Sequence, residues 1–282
     1  MTTIALFGAA GKMGARIRAN LQGEAAYKVL CVESPAGQER LRAEGVEPVP
    51  AREAVASAEA IILAVPDALI GQVAREQVVP FARAGALIIC LDPAAPFAGV
   101  LPAREDIAYL VVHPCHPAVF QEEDDPEKRR DFFGGCGQAR QNIVCALVQG
   151  QEADYARGEA IARRIFHPVL RAHRLTLEQM VLLEPVLTES IAAPCLSLVR
   201  EAYDEVVRRG VPPLAARDFL LGHIRINLAM FFGEADIPLS DGAKLAVSRG
   251  RERLFRPDWR ALLEPEAIRS SVQAIVRGES AE

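Results

Sequence analysis

The sequence predicts an α/β protein with a doubly wound, mainly parallel sheet in its N-terminal half and an all-helical C-terminal domain. Short apolar runs alternate with stretches of helical period over residues 1–174, as is typical of βαβ units. A glycine-rich turn directly follows the first apolar run. Beyond residue 176 only helical patterns are visible, so we place the domain boundary at residue 174.

The elements of the first domain follow from the spacing of its apolar residues. Amphipathic, helix-forming stretches cover residues 12–21, 69–84 and 152–166. Short apolar runs between turn residues predict strands at 4–7, 27–32, 60–65, 86–91, 108–112, 142–149 and 169–172. Strands that alternate with helices are expected to pair in parallel through right-handed connections.

The second domain, residues 175–282, opens with a helix-capping signal. Thr176 and Gln179 have the spacing of a capping box. Helical periodicity then continues from 177 to 209, and Gly210 with the prolines after it ends the helix. Further helices are predicted at 214–232, at 241–249 and near the C-terminus.

The composition excludes several classes of partner. Half of the residues are hydrophobic, 24% are charged, and the net charge is −5. Lys and Arg residues are interspersed among Asp and Glu residues, so we expect no nucleic-acid partner. We see no secretory leader and no apolar stretch of the ~18 residues that a span requires, so we expect no membrane partner either. Single cysteines inside apolar runs, such as Cys31, Cys90 and Cys145, favour a reduced, cytoplasmic protein.

The glycine-rich turn has the features of a dinucleotide-binding turn. Its glycines stand three residues apart between a predicted strand and a predicted helix. Such glycines permit a tight turn and let backbone N–H groups approach a pyrophosphate at the helix N-terminus. The order strand, turn, helix predicts a Rossmann domain. The predicted cofactor-binding residues of this turn are Gly8, Ala10, Gly11, Lys12, Met13 and Gly14.

The ends of other predicted strands complete the cofactor site. Glu33 follows the second strand, where an acid accepts hydrogen bonds from the ribose hydroxyls of NAD. Because a carboxylate there would repel a 2′-phosphate, the sequence favours NAD over NADP. Val65, Pro66, Asp67 and Asp92 follow two further strands and are also predicted to bind cofactor, although a turn role explains Asp92 equally well.

Two histidines, His113 and His116, directly follow the predicted strand 108–112. Oxidation of an alcohol needs a base that removes the hydroxyl proton as hydride leaves, and imidazole suits this task because its unperturbed pKa is ~6.5. The spacing also matches a pair of metal ligands, but the two neighbouring prolines prevent a helix that would align both rings. We predict a site role for at least one histidine; a rigid loop with backbone-bonded rings is the alternative.

The helical domain carries a second set of candidates. Glu184, Thr188 and Glu189 lie in an otherwise apolar helix, where carboxylates are costly unless they are paired, protonated or bound to metal. On an ideal helix Glu184 and Thr188 share a face, whereas Glu189 points elsewhere. The pattern is compatible with a functional or a structural role.

His223 and Lys244 are the remaining candidates. His223 stands four residues before Asn227 on a predicted helix. Lys244 lies in the first turn of a capped helix, where its charge opposes the helix dipole. A function would explain this placement, and a salt bridge to Asp241 is the structural alternative.

Taken together, these motifs resemble the superfamily of 6-phosphogluconate and β-hydroxyacid dehydrogenases, to which ketol-acid reductoisomerase is related. The sequence is most similar to the group with a phosphogluconate-dehydrogenase-type C-terminal domain that includes D-apionate oxidoisomerase. The likeness lies in the glycine turn and in residues 113–117, 171–176, 222–223 and 240–244.

The resemblance implies an NAD-dependent oxidoreductase of carbohydrate metabolism that acts on a CH–OH group of a small, branched sugar acid or hydroxy acid. In an oxidoisomerase, the oxidation is coupled to migration of a carbon substituent. The resemblance also implies a homodimer with intertwined helical domains, in which the partner chain completes each site.

One departure from the superfamily affects the expected chemistry. Its β-hydroxyacid dehydrogenases carry a catalytic lysine on the first long helix of the second domain, and this sequence has no lysine there. Either His116, His223 or Lys244 takes its place, or a divalent ion such as Mg²⁺, held by Glu184 and Glu189, polarises the substrate.

Two other functions stay open at this point. One is a prephenate-dehydrogenase-like or other NAD(P) reductase, in which Arg140 or Arg225 would clamp the substrate. The other is a non-catalytic, NAD-responsive regulator, which would not need the convergent histidines, glutamates and lysine.

Overall fold

The computed structural model describes residues 1–120, 123, 125–134 and 139–279. Its sheet has seven strands in the order β2-β1-β3-β4-β5-β6-β7. The strands are β1 (Thr2–Phe7), β2 (Tyr27–Val32), β3 (Ala60–Leu63), β4 (Leu87–Cys90), β5 (Ala108–Pro114), β6 (Gln141–Gln149) and β7 (Val169–Arg174). Neighbouring strands are parallel except for β5 and β6, which run antiparallel.

The sheet reverses its strand order at β1, which pairs with β2 on one side and β3 on the other. Phe7 pairs with both Val32 and Leu63, so the three strands end at the same level of the sheet. Ligands of open α/β sheets bind outside the carboxyl ends of the strands at such a reversal. The topology therefore opens a crevice directly after Phe7.

Helices cover both faces of the sheet. They are α1 (Lys12–Leu21), α2 (Pro35–Ala43), α3 (Ala51–Ser57), α4 (Asp67–Val73), α5 (Ala94–Phe97) and α6 (Glu152–Ile165). Because side chains alternate along a strand, Ile4 and Leu6 enter one buried cluster while Ala5 and Phe7 enter the other. The predicted doubly wound α/β fold is confirmed.

After β7 the helical segments differ in length from the predicted ones: the range 177–209 is divided, and the helix predicted at 241–249 continues to Leu254. They are α7 (Leu177–Val181), a wide-turn segment (Leu182–Ala192), α8 (Ala193–Arg208), α9 (Pro213–Phe231), α10 (Asp241–Leu254) and α11 (Pro265–Arg277). The prediction of a single helix over residues 177–209 is wrong, because Glu184 has extended backbone angles of φ −134° and ψ 115°. The ring of Pro185 disfavours the helical region for the residue before it.

The chain forms two compact units. The sheet unit holds Met1–Pro185 and Ile268–Glu282, and the helical unit holds Val186–Ala267. This division lies later than the predicted boundary at residue 174, because Met180 of α7 is buried in a cluster with strand residues and because α11 returns to the sheet unit.

Many large apolar residues of the helical unit are exposed. Helices α8, α9 and α10 are fully described, and none of them contains a buried residue. The stretch Leu177–Arg208 is, by length and composition alone, long and apolar enough to cross a membrane. The prediction that no stretch reaches this length is therefore wrong, because its few charged residues do not offset its many aliphatic ones. The backbone break at Glu184 interrupts it.

Candidate active site

The turn between β1 and α1 needs its glycines because backbone oxygens lie where a side chain would begin. Gly8 has φ +75°, and a Cβ atom at this position would lie 2.1 Å from the carbonyl oxygen of Ala64. A Cβ atom at Gly14 would lie 2.1 Å from the carbonyl oxygen of Gly8. Gly11 is the N-cap of α1, and its N–H donates to the Gly8 carbonyl at 3.0 Å. The tight turn brings the N-terminus of α1 to the crevice, where a pyrophosphate would bind.

Glu33 is held in place at the end of β2. Its Oε1 accepts from the Ala10 N–H at 2.8 Å, and its Oε2 accepts from the Ser34 N–H at 2.9 Å. A carboxylate oxygen has two lone pairs; Oε2 also accepts from the Ser34 hydroxyl at 3.5 Å, so Oε1 is the oxygen that retains capacity for a ribose hydroxyl. A Cβ atom at Gly37 would lie 2.2 Å from Glu33 Oε2. Sequence reasoning missed Gly37; a glycine in the helical turn after the acid is the signal that marks it.

The ends of β3 and β4 add two acids to the same edge. Pro66 is the N-cap of α4, and Asp67 lies in its first turn. Asp92 follows β4, and its Oδ1 accepts from the Ala94 N–H at 2.8 Å. Burial raises the pKa of Asp92 above its usual range; the Glu184 carboxylate also raises it, while the His113 cation lowers it. Asp92 therefore lies within electrostatic reach of both side chains.

His113 lies at the end of β5 and faces a carboxylate. Its Nδ1 donates to the Leu91 carbonyl at 2.8 Å, which leaves Nε2 as the basic nitrogen of the neutral ring. Nε2 lies 3.7 Å from Oε2 of Glu184. Glu184 reaches this position from the backbone break before Pro185. The two side chains therefore lie within ion-pairing distance of each other.

His116 is oriented by a different carbonyl. Its Nδ1 donates to the backbone oxygen of Phe133 at 2.8 Å, so its Nε2 carries the lone pair of the neutral ring. The His113 and His116 rings meet edge to face with centroids 6.4 Å apart. The Nζ atom of Lys12 lies 4.1 Å from the centre of the Phe133 ring. Phe133 therefore links His116 to the first residue of α1.

Comparison with known proteins identifies the family. The model of the C-terminal domain of decarboxylating phosphogluconate dehydrogenase matches residues 121–276. The D-apionate oxidoisomerase of Cupriavidus necator is 50% identical over 274 residues, which cover 96% of this chain and 98% of the relative. That of Rhizobium rhizogenes is 49% identical over 277 residues, covering 98% and 100%. The chain belongs to the D-apionate oxidoisomerase family.

A solved structure agrees with this family assignment. A semialdehyde dehydrogenase NAD-binding protein from Cupriavidus necator, in complex with calcium and NAD, superimposes with a TM-score of 0.93 at 49% identity. The match covers 98% of this chain and 99% of that chain. The predicted resemblance to this family and the predicted Rossmann fold are both confirmed.

The remaining candidates, Glu189, His223 and Lys244, lie in the helical unit. His223 donates through Nδ1 to the Phe219 carbonyl at 2.8 Å and stacks on the Phe219 ring. Lys244 Nζ lies 3.1 Å from Asp241 Oδ1, which is the salt bridge expected as the structural alternative. The roles of these three residues stay predictions.

The metal site also stays a prediction. Among the described residues, no group of three or more His, Cys, Asp and Glu side chains forms a metal site. The prediction that Glu184 and Thr188 share a helix face is wrong, because the backbone at Glu184 is not helical. The described side chains of one chain thus supply an incomplete ligand set, and Glu184 and Glu189 stay predicted ligands only.

Proposed function

We propose that this protein is an NAD-dependent oxidoisomerase whose substrate is D-apionate or a closely related branched sugar acid. The observation that carries the proposal is the pair of oriented histidines, His113 and His116, at the end of β5, on the same edge of the sheet as the dinucleotide-binding turn that follows β1. The likeness to two D-apionate oxidoisomerases over nearly the full chain supplies the substrate class.

The cofactor part of the proposal is NAD rather than NADP. NAD, when bound, supplies the acceptor for the substrate hydride. Two observations support this fit: the tight backbone packing around Gly8 and Gly14, which leaves no room for a Cβ atom, and the carboxylate of Glu33, fixed by two backbone N–H groups. A fixed carboxylate accepts hydrogen bonds from the ribose hydroxyls of NAD and repels the 2′-phosphate of NADP.

The acid–base part of the proposal assigns different roles to the two histidines. His116 accepts the substrate hydroxyl proton at Nε2, since its Nδ1 is already bonded to Phe133. His113 orients the substrate, and Glu184, which lies 3.7 Å from its Nε2, orients the imidazole. Asp92, Lys12 and the cofactor turn border these groups from the neighbouring strands and α1.

Substitution separates these roles. H116A should lower kcat by about 100-fold, the typical size of a general-base contribution, and leave the NAD dissociation constant within about twofold. The matched control is H173A, because His173 is exposed on β7. A near-normal kcat for H116A would remove His116 from the reaction.

We further propose that a second copy of this chain covers the helical unit. Support comes from α8, α9 and α10, whose large apolar residues are exposed although such helices need tertiary packing for stability. Cys31, Cys90 and Cys145 are buried free thiols, and burial raises the pKa of Cys90 and Cys145 to about 12. Such unreactive thiols fit a dimer that works in the reducing cytoplasm.

The test is NADH formation across a panel of branched and linear sugar acids, with and without Mg²⁺. Turnover confined to D-apionate and closely similar sugar acids supports the proposal. Dependence of the rate on Mg²⁺ would indicate that a divalent ion takes part in the reaction. Tight NAD binding without turnover of any acid would contradict an oxidoisomerase and favour a regulator. Turnover of prephenate instead would favour the reductase alternative.

A further inference from the structure

Arg16 is a buried cation on α1, with only 3% of its surface exposed. Arginine is seldom buried to this extent unless its charge is satisfied. Its NH2 donates to the Phe133 carbonyl at 2.8 Å. Its guanidinium carbon lies 4.3 Å from the centre of the Phe133 ring and 5.9 Å from that of Phe166. Two aromatic rings, the Phe133 carbonyl and the Met13 sulfur, which lies 3.8 Å from NH1, are thus among the groups that hold the guanidinium.

The carbonyl that Arg16 contacts is also the one that orients His116. The Phe133 oxygen accepts from Arg16 NH2 at 2.8 Å and from His116 Nδ1 at 2.8 Å. A carbonyl oxygen has two lone pairs and donates nothing, so both can be used by N–H donors. Arg16 therefore fixes the direction of the atom that selects the His116 tautomer.

The backbone of His116 also depends on its surroundings. Its φ is +58°, which makes it the only non-glycine residue with positive φ among the described residues. Residues other than Gly seldom adopt this conformation, although His, like Asn and Asp, adopts it more often than most, and it persists where neighbouring contacts hold it. The ring of His116 lies 5.0 Å from that of Phe133. Phe133 consequently contacts the His116 imidazole through both its carbonyl and its ring.

We propose that Arg16 is a positioning residue for the oxidation step: it anchors the Phe133 carbonyl, which keeps His116 in the Nδ1–H tautomer with Nε2 aimed at the substrate. This inference rests on the proposed function, because it assigns His116 as the base. Arg16 touches neither substrate nor the reacting atoms; it acts through Phe133.

The first test compares R16M with R163M. Methionine keeps much of the apolar stem of arginine but donates no hydrogen bond, so the Phe133 carbonyl loses one of its two donors. R16M should lower kcat by about tenfold or more, as misplaced catalytic groups do, while KM and the NAD dissociation constant stay within about twofold. R163M is the matched control, because Arg163 pairs with Glu159 on the partly exposed face of α6. R16K, which retains a donor, should recover part of the rate.

The second test asks whether Arg16 acts through His116. In the H116A background, R16M should change kcat by less than about twofold, because residues that act as one unit are not additive. If R16M lowers kcat in the H116A background by the same factor as in the wild type, the proposal is overturned, and the substitution has a general structural effect. If R16M fails to fold, the same comparison is made with R16K.

The third test does not depend on turnover. Nitrogen NMR of ¹⁵N-histidine-labelled protein, with His116 assigned by H116A, reports which ring nitrogen carries hydrogen. The wild type should show Nδ1–H alone at His116, and R16M should show a mixture. Nδ1–H alone in both proteins would overturn the positioning role even if D-apionate is turned over. A tautomer shift in a protein that oxidises no sugar acid would support the positioning role and contradict the proposed function instead.

Discussion

The sheet unit and the helical unit differ in how fully one chain satisfies its own apolar residues. In the sheet unit, both faces of the sheet are covered and every residue of β3 and β4 is buried. In the helical unit, α8, α9 and α10 have no buried residue. The difference teaches that a single chain builds the cofactor turn and the histidine pair by itself, whereas α8, α9 and α10 leave many of their apolar residues exposed.

The largest effect should come from breaking the cofactor turn without touching the helical unit. In G14A, the new methyl group would lie 2.1 Å from the Gly8 carbonyl oxygen, so the turn must open. We expect NAD to bind more than about 100-fold more weakly by isothermal titration, since the phosphate-binding backbone is displaced. G250A is the control, because nothing lies within 4 Å of its added methyl group. Equal NAD affinity in both variants would refute the cofactor role of the turn.

The next effect should come from charging the exposed helical surface. Phe231 and Phe232 end α9 and are 62% and 73% exposed. In a dimer that buries them, F231D/F232D should weaken association by more than about tenfold, because carboxylates lose hydration in an apolar contact. Sedimentation velocity over a concentration series measures this change. L170E, on the edge strand β7, should leave association unchanged. A wild type that sediments as a monomer, or partitions into lipid vesicles, would contradict the second-copy proposal.

A smaller effect distinguishes a partly buried acid of the sheet unit, Asp92, from an exposed acid of the helical unit. Burial raises the pKa of Asp92, so the stability that its protonated form provides is lost as pH rises through the folded-state value. D92N avoids this loss, and its amide oxygen can still accept from Ala94. Its Tm should exceed that of the wild type at pH 7, and the gap should close near pH ~4.

The control for D92N is D236N, because Asp236 is exposed in the helical unit. Its Tm should follow the wild type at every pH. A D92N protein that is less stable than the wild type at pH 7 would show that the ionised Asp92 stabilises the fold, which contradicts a raised pKa. Calorimetry at several pH values decides between these results.

The smallest effect concerns the salt bridge between Lys244 and Asp241. Both side chains are largely exposed, so the pair contributes little to stability. D241N should leave Tm unchanged within error at any salt concentration. If K244M then abolishes turnover while D241N does not, Lys244 has a role beyond this pair. If both variants behave as the wild type, the salt bridge is a sufficient explanation of Lys244.

Local patterns made most of the sheet unit predictable. Its strands are short apolar runs, and the observed helix Lys12–Leu21 and strand Tyr27–Val32 coincide with the predicted ranges 12–21 and 27–32. The glycine turn and Glu33 were also predictable, because their spacing follows from backbone geometry. His113 was expected at the edge of the sheet because it directly follows the predicted strand 108–112.

The long-range part of the site was not predictable. Arg16 reaches Phe133 across more than a hundred residues, and no periodicity links the two. The contact of His113 with Glu184 depends on where the backbone breaks, and a helical pattern over 177–209 hides that break. In the helical unit, apolar positions predicted helices correctly but did not indicate which faces one chain leaves uncovered.

The central claim of the proposed function is that the protein couples oxidation of D-apionate to migration of a carbon substituent. The most direct measurement is ¹³C NMR of the product formed from D-apionate labelled at its branching carbon, with NAD and stoichiometric NADH readout. We predict one NADH per product molecule and a labelled carbon whose bonding partners have changed. An oxidised product with the original branched skeleton would contradict the claim and leave a simple dehydrogenase.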